Sequence, residues 1–202
     1  MHADHALDAN DLVLQFGTVG EVNGARTGYL RRTSASNEAF LGRRLMIWLA
    51  DRGLIDFPVS VEHSDRPDFV ITSAGLQFGL EVTEACDQRD GAELAKFELA
   101  QAPQLLGAAG GRGDGGYHGS QAESEVISDI QNALWAKSEK PYVLEMPTDL
   151  LIYVNSNPAR MIDREEQFQA VESHSFEIGG LRRVFLYWSE RRITQIAPGR
   201  AA

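Results

Sequence analysis

The sequence predicts an α/β fold in which a central mixed sheet is flanked by helices. Three observations carry that expectation. Apolar residues recur at helical spacing over residues 36–52 and 121–138. β-branched and aromatic residues gather in short runs within 69–83, 149–155 and 183–196. Ser73-Ala74-Gly75 is a turn signal that divides the first of these runs, so that it folds back on itself.

Residues 1–33 are weakly patterned and read as an N-terminal arm or a loose hairpin. Leu12-Val13-Leu14 suggests a short strand there, and Gly17, Gly20 and Gly24 punctuate the stretch after it. Residues 34–202 read as a single α/β domain. Its first helix, 36–52, opens on Ser36 and Asn37, which are good N-cap types. Phe40, Leu41, Leu45, Trp48 and Leu49 form its buried stripe, and Gly53 sits where a C′ glycine ends a helix. Pro58 interrupts the chain, and Val59-Ser60-Val61 is extended. Pro67 then opens a strand through Phe69-Val70-Ile71, and Leu76 to Thr83 returns beside it.

A second helix is expected over 91–106, limited by Pro103. Residues 107–119 hold seven glycines and no core-forming side chain, which predicts a flexible loop. Its Arg112-Gly113-Asp114 is read as a chance occurrence. The helix 121–138 carries Val126, Ile127, Ile130, Leu134 and Trp135 on one face. A buried strand at 149–155, a helix within 163–173 and two β-prone runs at 183–188 and 192–196 complete the order. Trp48, Trp135 and Trp188 fit core stripes.

Hydrophobic residues make up 43% and charged residues 24%, the mixture of an ordinary globular chain. No apolar run approaches the roughly 20 residues of a membrane-spanning helix, so no membrane partner is expected. The polar, acidic start of the chain does not read as a signal peptide. Cys86 is the single cysteine, which excludes an intramolecular disulfide and suits a reducing, cytoplasmic setting. It reads as structural.

The formal net charge of -10 opposes a general nucleic-acid coat protein, because the summed field repels phosphate. A local basic groove stays compatible with it. Arg31-Arg32, Arg43-Arg44, Arg182-Arg183 and Arg191-Arg192 suit bidentate phosphate contact; the codon usage of a GC-rich genome explains them equally well. The histidines show no metal-ligand spacing, and neither a GxSxG nucleophile elbow nor a phosphate-binding loop is present.

The chemistry gathers at the first hairpin. Folding about residues 73–75 brings residue 81 opposite residues 67–69, so Asp68 and Glu81, thirteen positions apart, become neighbours. Two carboxylates held close repel one another unless a cation lies between them. Hard oxygen ligands on a partly open site suit Mg²⁺ or Mn²⁺, with water in the remaining positions.

The run Pro67-Asp68-Phe69…Gly79-Leu80-Glu81-Val82-Thr83 resembles the PD-(D/E)XK nuclease superfamily. The resemblance covers roughly residues 36–155, including a helix that carries Glu38 ahead of the Asp strand. It implies a restriction-endonuclease-like fold and a metal-dependent nuclease acting on nucleic acid, DNA ahead of RNA. Asp68 and Glu81 would bind the metal with the Val82 carbonyl, and Glu38 would assist. One position departs from the pattern: the motif lysine is Thr83, which cannot orient water as an amine does. Lys137 is the first candidate for a lysine supplied from elsewhere, and Lys96 the second. Alternatively the site has kept binding and lost catalysis, giving a nucleic-acid- or protein-binding module.

Structural readings stand beside each of these. Asp68 also suits a strand-entry residue, Glu81 a solvated edge position, Glu38 a first-turn acid and Lys137 a cation favoured near a helix C-terminus. Glu84 should face away from the site, since adjacent strand residues point to opposite sides. Homodimerisation is left open. An unrelated α/β fold would lack the 67–83 hairpin.

Overall fold

The computed structural model describes residues 1–16, 34–85, 119–155, 159, 162, 164–189 and 192–198. Seven strands form one sheet in chain order. They are β1 (Ala3–Ala6), β2 (Val59–His63), β3 (Phe69–Ser73), β4 (Leu76–Ala85), β5 (Thr148–Val154), β6 (Arg183–Ser189) and β7 (Arg192–Pro198). β1 to β4 are an antiparallel meander, β4, β5 and β6 run parallel, and β7 returns antiparallel. The sheet is therefore mixed, as the element order predicts. Parallel neighbours need crossover connections. Helices α3 (Gly119–Ser138) and α4 (Pro141–Glu145) precede β5, and α5 (Glu165–Glu172) precedes β6.

Helices cover both faces. On one face, α2 (Ser34–Asp51) buries Leu41, Leu45, Met46 and Leu49 with Phe69, Ile71, Leu80 and Val82 of the sheet. Its end is fixed as the sequence suggests. Gly53 takes φ +62, its N–H donates to the Ala50 carbonyl (3.1 Å), and the Leu54 N–H donates to the Leu49 carbonyl (2.9 Å). That is a Schellman closure. On the other face, Val126, Ile130 and Leu134 of α3 pack with Leu150, Ile152, Val184 and Leu186. β5 is covered from both sides and reads as a nearly continuous apolar run, as central parallel strands do.

Of the stretch 1–33, expected as an arm or loose hairpin, residues 1–16 are described. Leu12-Val13-Leu14 lies not on a strand but on a short helix, α1 (Ala9–Gln15). Asp8 caps it by accepting the Asp11 N–H at 2.9 Å, and Leu12 and Phe16 turn inward one turn apart. The strand is instead Ala3–Ala6, whose intrinsic β preference is low but which pairs along β2. Trp135 also departs from its expected place in a core stripe: it is exposed, because Ile130, Ala133 and Leu134 occupy the buried face of α3. Its indole N–H reaches Glu177 at 3.4 Å.

The expected helix at 91–106, the glycine-rich stretch up to residue 118, Cys86 and Lys96 lie outside the described residues. Among the described residues no helix is long and apolar enough to cross a membrane.

Candidate functional site

The hairpin of β3 and β4 builds the site. Ala74 and Gly75 both take positive φ, 46° and 84°, the two-residue turn whose twist matches that of paired strands. That turn sets the register, with Phe69 opposite Leu80. One step further places Asp68 opposite Glu81, on the same side of the sheet.

Glu81 lies where a carboxylate is hard to accommodate. β4 is paired on both sides, with β3 and with β5, where Leu150 is its partner. Glu81 is only 4% exposed, which rules out a solvated edge residue and demands a counter-charge. The counter-charge comes from Lys137, in the last turn of α3, whose Nζ forms an ion pair and hydrogen bond with Glu81 Oε1. Lys137 is thus turned toward the sheet rather than into solvent at the helix end.

Asp68 is held from β4 as well. The Val82 N–H donates to its Oδ2 at 2.8 Å. Burial pushes the Asp68 carboxyl up to about 6, opposed first by the Val82 hydrogen bond. The charges of Glu81 and Glu38 raise it further, while that of Lys137 lowers it. Glu38 therefore lies close enough to act on Asp68 through charge. It stands past the first turn of α2, so it is not a first-turn acid.

Among the described residues no donor meets Asp68 Oδ1 or Glu81 Oε2. Nor do three His, Cys, Asp or Glu side chains of the described residues form a ready-made cage. The donor set fits Mg²⁺ or Mn²⁺ all the same. Mg²⁺ is commonly held by one or two carboxylates, with water and substrate phosphates completing its shell. A cation beside a partly buried acid pair also offsets the repulsion that raises Asp68.

The remaining candidates separate by the direction they face. Thr83 is half-buried on the Glu81 side of β4. Glu84 is exposed and accepts a hydrogen bond from Asn155 Nδ2 at 2.8 Å, away from the pair. His63 is exposed, its ring packed edge-on to Phe69. Val82 enters through its backbone N–H, a contact the motif does not reveal but the hairpin register does.

Sequence reasoning also missed a second buried carboxylate, Asp149, which is 1% exposed. Arg182 grips it with Nε and Nη2, both at 2.7 Å, and Arg183 adds a bond from Nη2 at 2.6 Å. Arg182 stacks 3.7 Å over Phe78. This arginine pair is committed to an internal anion instead of being presented to phosphate. Arg192 is likewise committed, to Glu165 and Glu172. Comparison of the chain with protein-family models, with curated proteins and with solved structures finds no match, so the meaning of this site rests on its own geometry.

Proposed function

We propose that this chain is a metal-dependent phosphodiester hydrolase, a nuclease of the PD-(D/E)XK kind that acts on nucleic acid, DNA ahead of RNA. The observation that carries the reading is the contact between Lys137 and Glu81, beside Asp68. It gives the hairpin carboxylates the amine that Thr83 lacks. Asp68 and Glu81 would hold Mg²⁺ or Mn²⁺ with the Val82 carbonyl, and Glu38 would assist directly or through water. Such an ion polarises a phosphoryl oxygen and makes a bound water more acidic.

The chain's own groups have definable tasks. The Val82 N–H fixes one Asp68 oxygen, and the other, which no donor of the described residues meets, would take a ligand. Glu81 fixes the Lys137 amine, which has three donor hydrogens in all. Those not spent on Glu81 are available to orient the attacking water and to offset charge growing on the phosphoryl oxygens. The single cysteine accords with action in the cytoplasm.

The test is cleavage of supercoiled DNA, linear DNA and single-stranded RNA by purified protein with Mg²⁺ or Mn²⁺. Cleavage should vanish with EDTA and in Asp68→Asn. Absence of both cleavage and metal binding in the unaltered protein would sink the proposal. Thr83 and the net charge of -10 favour a second reading, a binding module that keeps the fold without turnover. Metal-dependent retention of nucleic acid with no cutting would select it.

A further inference from the structure

Gly79 lies within β4, where glycine offers no packing and weakens a strand. It is not among the positive-φ glycines, so its backbone conformation does not require the residue. The lack of space beside it does. A Cβ built at Gly79 would stand 2.5 Å from Pro67 Cγ, 3.2 Å from Pro67 Cβ and 2.9 Å from Thr148 Oγ1. Neither wall gives way easily. The proline ring is rigid, the Thr148 hydroxyl is tied to the Met146 carbonyl at 2.8 Å, and the Gly79 N–H is tied to the Pro147 carbonyl at 2.9 Å.

Pro67 is buried and immediately precedes Asp68, and Phe69 on the other side is fully buried. The backbone of Asp68 is therefore clamped by both neighbours. We infer that Gly79 is a positioning residue for the candidate site: the gap it leaves seats Pro67, and that seat holds the Asp68 carboxylate on the Val82 N–H and beside Glu81. β4 then supplies the seat, the second carboxylate and the hydrogen-bond donor within four consecutive residues, Gly79 to Val82. Any side chain at position 79 displaces Pro67 and carries Asp68 with it.

The inference rests on the proposed metal site for its functional meaning, and two readouts keep the two apart. Mn²⁺ affinity is measured by calorimetry, and the Val82 amide is followed by NMR shift and hydrogen exchange. The proteins compared are the unaltered chain, Gly79→Ala and, as a stability control on β6, Leu186→Val. In Gly79→Ala, Mn²⁺ affinity should fall roughly 10- to 100-fold, the range for lost support of a metal ligand, and the Val82 amide should shift and exchange faster. Leu186→Val should change neither. Unaltered affinity and an unaltered Val82 amide in Gly79→Ala would overturn the inference, as would equal losses in Leu186→Val. If Gly79→Ala fails to fold, Pro67→Ala, which empties the seat, should produce the same two losses, and wild-type values there overturn it equally. If the unaltered chain binds no Mn²⁺, the metal reading falls, and the Val82 amide alone decides the positioning role.

Discussion

Lys137 and Glu81 are 56 residues apart in sequence and form an ion pair in space. The contact ties the last turn of α3 to the centre of the sheet and gives a buried carboxylate its counter-charge. The amine therefore has a structural task whatever else it does, and stability and cleavage must be measured on the same variants to separate the two.

Lys137→Met should lower stability by on the order of 1–3 kcal/mol, less than for a fully buried pair because the lysine side chain is 25% exposed. Urea unfolding measures that. On the proposed nuclease reading, cleavage with Mg²⁺ should fall by about a hundredfold or more, the usual scale for a group acting in proton transfer or charge stabilisation. Loss of stability without loss of cleavage would leave the amine a purely structural partner.

Thr83→Lys should restore part of the cleavage lost in Lys137→Met. Position 83 is two residues beyond Glu81 on the same strand and so shares its side of the sheet. A lysine there would put the amine where the proposed nuclease reading expects it. No recovery in the double variant, with metal affinity intact, would count against interchangeable roles.

Asp68→Asn should stabilise the metal-free protein at neutral pH. The folded chain holds the Asp68 proton more tightly than an ordinary aspartate, about 6 against 3.8. The proton-bound form therefore favours folding fully below pH about 4, and that contribution is lost as pH rises through about 6. Asparagine keeps an oxygen for the Val82 N–H and carries no charge. The gain at pH about 7.5 should be on the order of 1 kcal/mol after allowing for solvent screening, with little gain at pH about 3.5. Equal effects at both pH values would contradict this origin.

On the proposed metal reading, Mg²⁺ binding should release a proton below pH about 6, because the cation and the Asp68 proton would compete for the same carboxylate. Affinity should approach a tenfold loss per pH unit at the acid end. Calorimetry in buffers of different ionisation enthalpy counts the released proton directly.

Asp149→Ala should cost on the order of 1–3 kcal/mol, since it strands Arg182 and Arg183, whose side chains keep 32% and 17% exposure. Asp149 lies next to Leu150 on β5, so it faces away from the Glu81 side. Mg²⁺ affinity of the protein that remains folded should be unchanged.

The parts legible in the sequence are those set by local rules. Helical spacing locates α2 and α3, and the Ala74-Gly75 turn fixes the register that pairs Asp68 with Glu81. The features that escape it are tertiary. Ala3–Ala6 has no β signature of its own and becomes a strand only because β2 offers a free edge. Arg182-Arg183 reads as a phosphate-binding pair until Asp149 is seen beneath it, since a carboxylate 33 residues upstream leaves no trace in the local pattern. Lys137 is one of only three lysines in the chain, which makes it findable, yet nothing in its neighbours says which way it points.

The strands lie side by side in the order in which they are made. During synthesis, β2, β3 and β4 can pair as each leaves the ribosome, while β5 and the amine of Lys137 arrive more than fifty residues later. A nascent chain that ends before α3 thus carries the acidic pair without its lysine. Pulse-labelled hydrogen exchange during refolding should show the Val70–Phe78 amides protected before those of β5; simultaneous protection would mean that the hairpin has no existence apart from the finished sheet.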